Sequence, residues 1–380
     1  MSRPLAVVAL VAAILVACSP TGTPTATPAA SIGHLADVLT YKGNAARTGE
    51  HPGPGPTNAP ASIWRVEHDA FFRAAPLVAD GKLVAAAEDG KLFVLDVGSG
   101  ASQTLNIADG FRATPTIAGG VLYAAGLGGH LWTVPLSGGD MGWGVDGVHE
   151  ESFITLADDL VVAGTPNELV AFARASGSEK WRLAVPGSER TALGNGVLYA
   201  SGRESGALTA VGLDGVERWQ FDTGAAEVLT PVVAGDMVVI ATRGAAGGGS
   251  TVTALDLDGA ERWQAEFDGS IGSHGVDGSR VYVTIQEDPS SLFALDPATG
   301  AIVWEHAFDG LVVSVLAVAG GRVYVVSQAE GLVAVEAATG HVAWQVELGS
   351  VARAGLAISG GLAFVTTEDI DGRGRVIAFR

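Results

Sequence analysis

Cysteine is nearly missing from this chain: one residue, Cys18, among 380. No intrachain disulfide can form, so the fold must be held by burial and hydrogen bonding alone. Basic residues are scarce as well, 22 Lys and Arg against 41 Asp and Glu, for a formal net charge of −19. A nucleic-acid partner requires a basic face, and that class is excluded. Long apolar runs are absent. The longest, residues 5–16, has twelve residues, whereas a membrane-spanning helix needs about twenty. No GxSxG elbow, HExxH pair or GxxxxGKS loop occurs, and the eight histidines share no ligand spacing. A metal site would need three or four converging ligands, so neither a metal nor a catalytic residue is expected. The pairs Asp256/Asp258 and Asp369/Asp371 lack the distal Glu of a calcium loop and are read as Asx-type turns.

What the chain has instead is repetition. Residues 294–304 read ALDPATGAIVW, a strand, a turn and a second strand carrying Trp. The phrase returns as AVEAATGHVAW (334–344), ALDLDGAERW (254–263), AVGLDGVERW (210–219) and AFARASGSEKW (171–181). Weaker copies are VPLSGGDMGW (134–143) and VLDVGSGASQT (94–104), the last with Thr104 in the Trp position. The marked positions 64, 104, 143, 181, 219, 263, 304 and 344 lie 38 to 44 residues apart. That period, with four short apolar runs and Gly-rich turns per unit, predicts a β-propeller of four-stranded blades.

The two ends set the blade number. After Trp344 three more strands fit before Arg380, and the segment around Ile63–Glu67 precedes the first full unit with no unit of its own. An eight-bladed, all-β ring closed by that N-terminal strand is expected. Seven blades would leave an orphan sheet.

The phrase resembles the tryptophan-docking motif AxDxxTGxxxW of pyrroloquinoline quinone-type propeller repeats, and residues 294–304 match every fixed position. The resemblance covers nearly all of residues 63–380. It implies that Trp64, Trp143, Trp181, Trp219, Trp263, Trp304 and Trp344 stack on neighbouring blades, a structural role. Thr104 departs from the pattern, which implies a looser first junction. Quinoprotein dehydrogenases share the frame and hold a quinone with calcium in the channel. Their longer insertions and metal-binding motif have no match here, so no cofactor is expected.

Ahead of the repeats, residues 1–17 have the length and apolar core of a signal peptide. They end in Leu15-Val16-Ala17 before Cys18, a phrase that resembles a bacterial lipobox and implies lipidation of Cys18; an ordinary leader with an incidental cysteine is the alternative. Residues 18–62 form a tether and lead-in. The thirteen residues SPTGTPTATPAAS are Pro-rich and reach up to about 40 Å. The phrase YKGNAARTG (41–49) resembles the lead-in of such propellers and is expected to lie against the ring.

One set of polar residues follows the repeat phase. Arg73 and Arg112 stand three residues before Pro76 and Pro115, and Arg353 stands three before Leu356. The same position in three consecutive blades predicts an arginine arc at the channel mouth, flanked by Phe72 and Phe111, suited to an anion or an acidic partner. Local pairing with Glu150 or Glu151 is the alternative. The expected function is a non-catalytic, monomeric, lipid-anchored extracytoplasmic scaffold that binds a protein or envelope component. It is similar to BamB-type propellers of the outer-membrane β-barrel assembly machine. The alternative is a small-molecule binder, or a reduced quinoprotein oxidoreductase, using the channel.

Overall fold

The apolar runs fall into two burial classes that explain the architecture. Runs such as Leu160–Gly164 and Val281–Ile285 are buried at every residue, because both faces of the strand are covered by neighbouring sheets. Each repeat then ends in a strand that alternates, as in Ile302–Ala307, where every second side chain faces solvent. Sheets stacked radially produce this gradient, with the alternating strands on the outside.

The computed structural model of the protein describes residues 35–380 except 108, 204, 245–248, 350, 352, 370 and 371. The expected leader, Cys18 and the Thr/Pro tether lie outside the described residues. Eight antiparallel sheets follow one another around a ring. Blade 1 runs from Leu77–Ala79 to Ser102–Asn106 and blade 2 from Thr116–Ala118 to Gly144–Asp146. Blade 3 spans Thr155–Ala157 to Glu179–Ala184, blade 4 Arg190–Gly194 to Glu217–Asp222, and blade 5 Glu227–Val228 to Glu261–Phe267. Blade 6 spans Ile271–Val276 to Ile302–Ala307, and blade 7 Ala317–Ala319 to Val342–Val346. The inner strand of blade 5 is interrupted before Val232–Ala234, at Pro231, which cannot donate to the ladder. Blade 8 joins both ends of the chain: Ser62–His68 pairs antiparallel with Gly374–Phe379, completing the sheet of Arg353–Ser359 and Leu362–Glu368. Ala61 and Arg380 exchange backbone hydrogen bonds of 3.0 Å in each direction.

The tryptophans bridge the junctions. Trp263 Nε1 donates to Pro297 O at 2.8 Å, and its ring covers Gly300, where an added Cβ would lie 2.5 Å from the ring. Gly300 also has φ +72°, so two independent constraints favour glycine there. Trp64, Trp143, Trp181, Trp219 and Trp304 reach a carbonyl and a glycine of the next blade in the same way. Trp344 faces the gap where blade 8 has no connecting turn. Its Nε1 donates instead to Pro56 O at 3.0 Å, so the lead-in stands in for the missing turn.

Blade 1 differs for a reason the spacing hides. In blade 6 the register slips between Ala294 and Leu295, so Trp304 pairs with Ala294 and Ile302 with Leu295. Blade 1 has no such bulge: Ser102 pairs with Leu95, Gln103 with Val94 and Thr104 with Phe93. A one-residue change of register moves a side chain to the other face. Gln103, not Thr104, therefore occupies the docking position, and its amide lies over Gly138 of blade 2.

Inside the ring, residues 35–51 form a plug. The innermost strand of each blade has one unpaired edge, facing the channel, and the lead-in hydrogen-bonds to these edges in turn. Val38 and Val78 exchange backbone hydrogen bonds; Ile117 N donates to Leu39 O, Leu193 N to Ala45 O and Val233 N to Ala46 O, all at 2.8–2.9 Å. Val276 N donates to Thr48 O and Val318 N to Gly49 O. Arg47 reaches Ile154 O of blade 3 and His51 Nδ1 accepts from Ile358 N of blade 8, so all eight blades touch the segment. Arg47 is 1 % exposed. Its guanidinium also donates to Thr191 O and Tyr41 O at 3.0 Å and to Thr155 Oγ1 at 3.1 Å.

Candidate functional site

The plug meets the inner strands near their C-terminal ends, which leaves the other end of the channel open. Segments leading into the inner strands arrive at that open end, and they carry the arginines. Arg73, Arg112, Arg190, Arg203 and Arg353, with Glu151 and Phe153, line one space of about 350 Å³. The three arginines read from the repeat phase are brought together, and two more from blade 4 join them. Arg190 lies two residues beyond the aligned position, and Arg203 follows the second strand of its blade. Neither shares the repeat register, so only ring curvature assembles them with the others.

Most of these guanidiniums are held by carboxylates in an arc of alternating charge. Arg73 Nε is 2.8 Å from Glu88 Oε1 and 3.7 Å from Glu368 Oε2. Arg112 Nε donates to the same Glu88 oxygen at 3.0 Å, and its Nη1 to Glu150 at 2.9 Å. Arg203 pairs with Glu151 at 3.0 Å. Glu227 bridges Arg190 at 2.8 Å and Arg243 at 3.2 Å; burial pushes its carboxyl up, but the two guanidiniums outweigh that and hold it below its ordinary range. Local pairing thus accounts for Arg73 and Arg112. Arg353 is exposed, and no carboxylate pairs with it among the described residues. Arg73 Nε, although near Glu88, is a buried donor with no aligned acceptor, and Glu368 Oε2 is likewise unsatisfied.

The aromatic flank is not the expected one. Phe72 and Phe111 are 1 % and 0 % exposed. Phe72 packs edge-on against Phe93, and Phe111 belongs to the core between blades 1 and 2. Alternation along the chain turns these rings inward while the adjacent arginines face the mouth. The ring against Arg73 is Phe71, whose centroid is 5.1 Å from Cζ. The aromatic floor of the mouth is Phe153, stacked on Tyr41 of the plug with centroids 4.0 Å apart and planes 5° apart.

Below the mouth, Tyr41, Lys42, His51 and Arg73 border a second void of about 60 Å³. Lys42 Nζ donates to His274 O at 2.6 Å and is 5 % exposed. Burial, with Arg47 and Arg190 nearby, lowers its pKa to about 7. Burial lowers Arg47 to about 10 and His51 to about 4. Lys42 and Arg47 both have left-handed backbones, φ 56° and 59°, which is uncommon for long side chains.

Several solved structures share the fold. BamB from Moraxella catarrhalis superposes with a TM-score of 0.66 at 15 % identity, covering 84 % of this chain and 99 % of that one. Quinohemoprotein alcohol dehydrogenase ADHIIG from Pseudomonas putida HK5 gives 0.71 at 12 % identity, covering 90 % and 80 %. The quinohemoprotein alcohol dehydrogenase of Comamonas testosteroni gives 0.69 at 14 %, with the same coverage. No group of three His, Cys, Asp or Glu side chains that could hold a metal occurs among the described residues. Glu88, Glu150 and Glu151 at the mouth are engaged with arginines. No curated protein sequence matches the chain. A family model, that of the outer membrane protein assembly factor BamB, matches residues 102–192, 165–271 and 248–380, and the chain belongs to that family.

Proposed function

We propose that the protein is a non-catalytic scaffold of the cell envelope, held outside the cytoplasm by a lipid on Cys18, which binds a protein or envelope component through its arginine-lined mouth. Membership of the BamB family supports a protein-binding role in the envelope. The observation that carries the reading is the asymmetry of the channel. One end is filled by the chain's own residues 35–51, while the other presents cations on a protein of net charge −19. A scaffold needs a rigid ring and one distinctive surface, and the plug supplies rigidity by tying all eight inner strands together.

The anchor and the binding end are tested separately. Cys18→Ser should move the protein from the membrane fraction to the soluble or medium fraction; a protein that stays on membranes after its leader has been removed contradicts the lipid anchor. Arg353→Glu reverses the charge of the mouth cation that lacks a carboxylate partner, and co-purification of the envelope partner with the tagged chain should fall at least tenfold. Undiminished co-purification would place the binding surface elsewhere.

A further inference from the structure

The channel holds more cation than its carboxylates neutralise. Five guanidiniums (Arg73, Arg112, Arg190, Arg203 and Arg243) face five carboxylates, Glu88, Glu150, Glu151, Glu227 and Glu368. Arg353, Lys42 and Arg47 remain, with no carboxylate partner among the described residues. Glu189 offsets one of them; its Oε1 accepts the Arg203 backbone N–H at 2.7 Å. Arg353 and Arg47 therefore lack a carboxylate partner among the described residues, and Lys42, with its pKa near 7, carries part of a charge at neutral pH. Burying an unpaired cation costs several kcal/mol, and Lys42 and Arg47 add left-handed backbone strain to that cost.

We propose that the mouth is a phosphate-binding pocket, with Arg353, Arg203 and Arg190 as its walls and Lys42 as the cation beneath its floor. This rests on the reading of the mouth as the binding end. A planar carboxylate is satisfied by one guanidinium fork, whereas phosphate presents oxygens in several directions and takes donors from several sides. Here the guanidiniums come from blades 1, 2, 4 and 8 around about 350 Å³, room for a phosphomonoester or a pyrophosphate. A soluble molecule and a lipid headgroup would present the same phosphate chemistry to the pocket.

Calorimetric titration of the detergent-solubilised full chain with inorganic pyrophosphate at low salt tests the pocket. Saturable binding is expected, weakened at least tenfold by Arg353→Ala and at least threefold by Lys42→Met. It should be unchanged by Arg262→Ala, whose side chain pairs with Asp236 on the outer surface. Malonate should bind at least tenfold more weakly than pyrophosphate. Arg353 makes no ion pair among the described residues, so its variant should keep the wild-type melting temperature, and the result does not depend on whether Lys42→Met folds. Absence of saturable binding, or equal affinity in Arg353→Ala, overturns the proposal. Vesicles containing phosphatidic acid separate the sources: co-sedimentation lost in Arg353→Glu assigns the phosphate to a lipid headgroup, and pyrophosphate binding without co-sedimentation assigns it to a soluble molecule. If pyrophosphate fails while Arg353→Glu still abolishes partner co-purification, the phosphate pocket falls and the scaffold reading stands.

Discussion

Truncating Trp304 to alanine should reveal how the ring is held together. The side chain crosses from blade 6 to blade 7, where Nε1 donates to Ala337 O at 3.0 Å and the ring lies over Gly340. The hydrogen bond contributes about 1 kcal/mol. Removing a fully buried Trp costs about 3–5 kcal/mol, and this ring is half-buried, so roughly 2 kcal/mol is reasonable for the packing. Together, Trp304→Ala should lower unfolding free energy by about 3 kcal/mol. Gly340→Ala should cost a similar amount, since its φ is +75° and the new Cβ would meet the Trp304 ring at 2.7 Å. In the Trp304→Ala background the steric part vanishes and only the backbone part, about 1 kcal/mol, remains. The same truncation at the junction of blades 1 and 2, Gln103→Ala, removes an exposed amide and should cost under about 0.5 kcal/mol. Guanidinium denaturation of the single and double variants measures all of these. Strictly additive losses for Trp304 and Gly340, or a Gln103→Ala loss equal to that of Trp304→Ala, would refute the docking account.

Removing residues 1–66 deletes the plug and most of the strand that completes blade 8, and should lower the melting temperature by at least about 10 °C or prevent folding; removing residues 1–31 should leave it unchanged. Equal melting temperatures would contradict closure by the N-terminal strand. Lys42, with its pKa lowered from 10.5 to about 7, is charged in both folded and unfolded states below pH 7, where its burial is most destabilising. Stability should rise from pH 7 to about 10.5, where the unfolded chain also becomes neutral at this position. Lys42→Met should therefore gain most over wild type near pH 6 and least above pH 10, measured by denaturant unfolding at both ends. A difference that does not vary with pH would remove the titrating lysine from the account.

The ring was legible because its junctions reuse one solution. A turn ending in left-handed glycine beneath an indole tolerates few residue types, so residues 294–304 and their copies stand out at a fixed pitch. Where a junction uses another solution, spacing misleads: counting places Thr104 at the docking position, but loss of the bulge puts Gln103 there. The site divides the same way. Arg73, Arg112 and Arg353 share a repeat phase and were found by it. Arg190 and Arg203 share none, and Lys42 arrives from a segment that folds back through the channel. Phe72 and Phe111 were misplaced because adjacency to an arginine says nothing about which side of the strand a ring occupies.

Closure by Ser62–His68 also sets an order of events. Its partner, Gly374–Phe379, lies more than three hundred residues further along the sequence. The first strand must therefore wait, unpaired, until more than three hundred residues have followed it. Until the two strands meet, blade 8 has an open edge. A chain built this way stays unlatched until its eighth blade is complete.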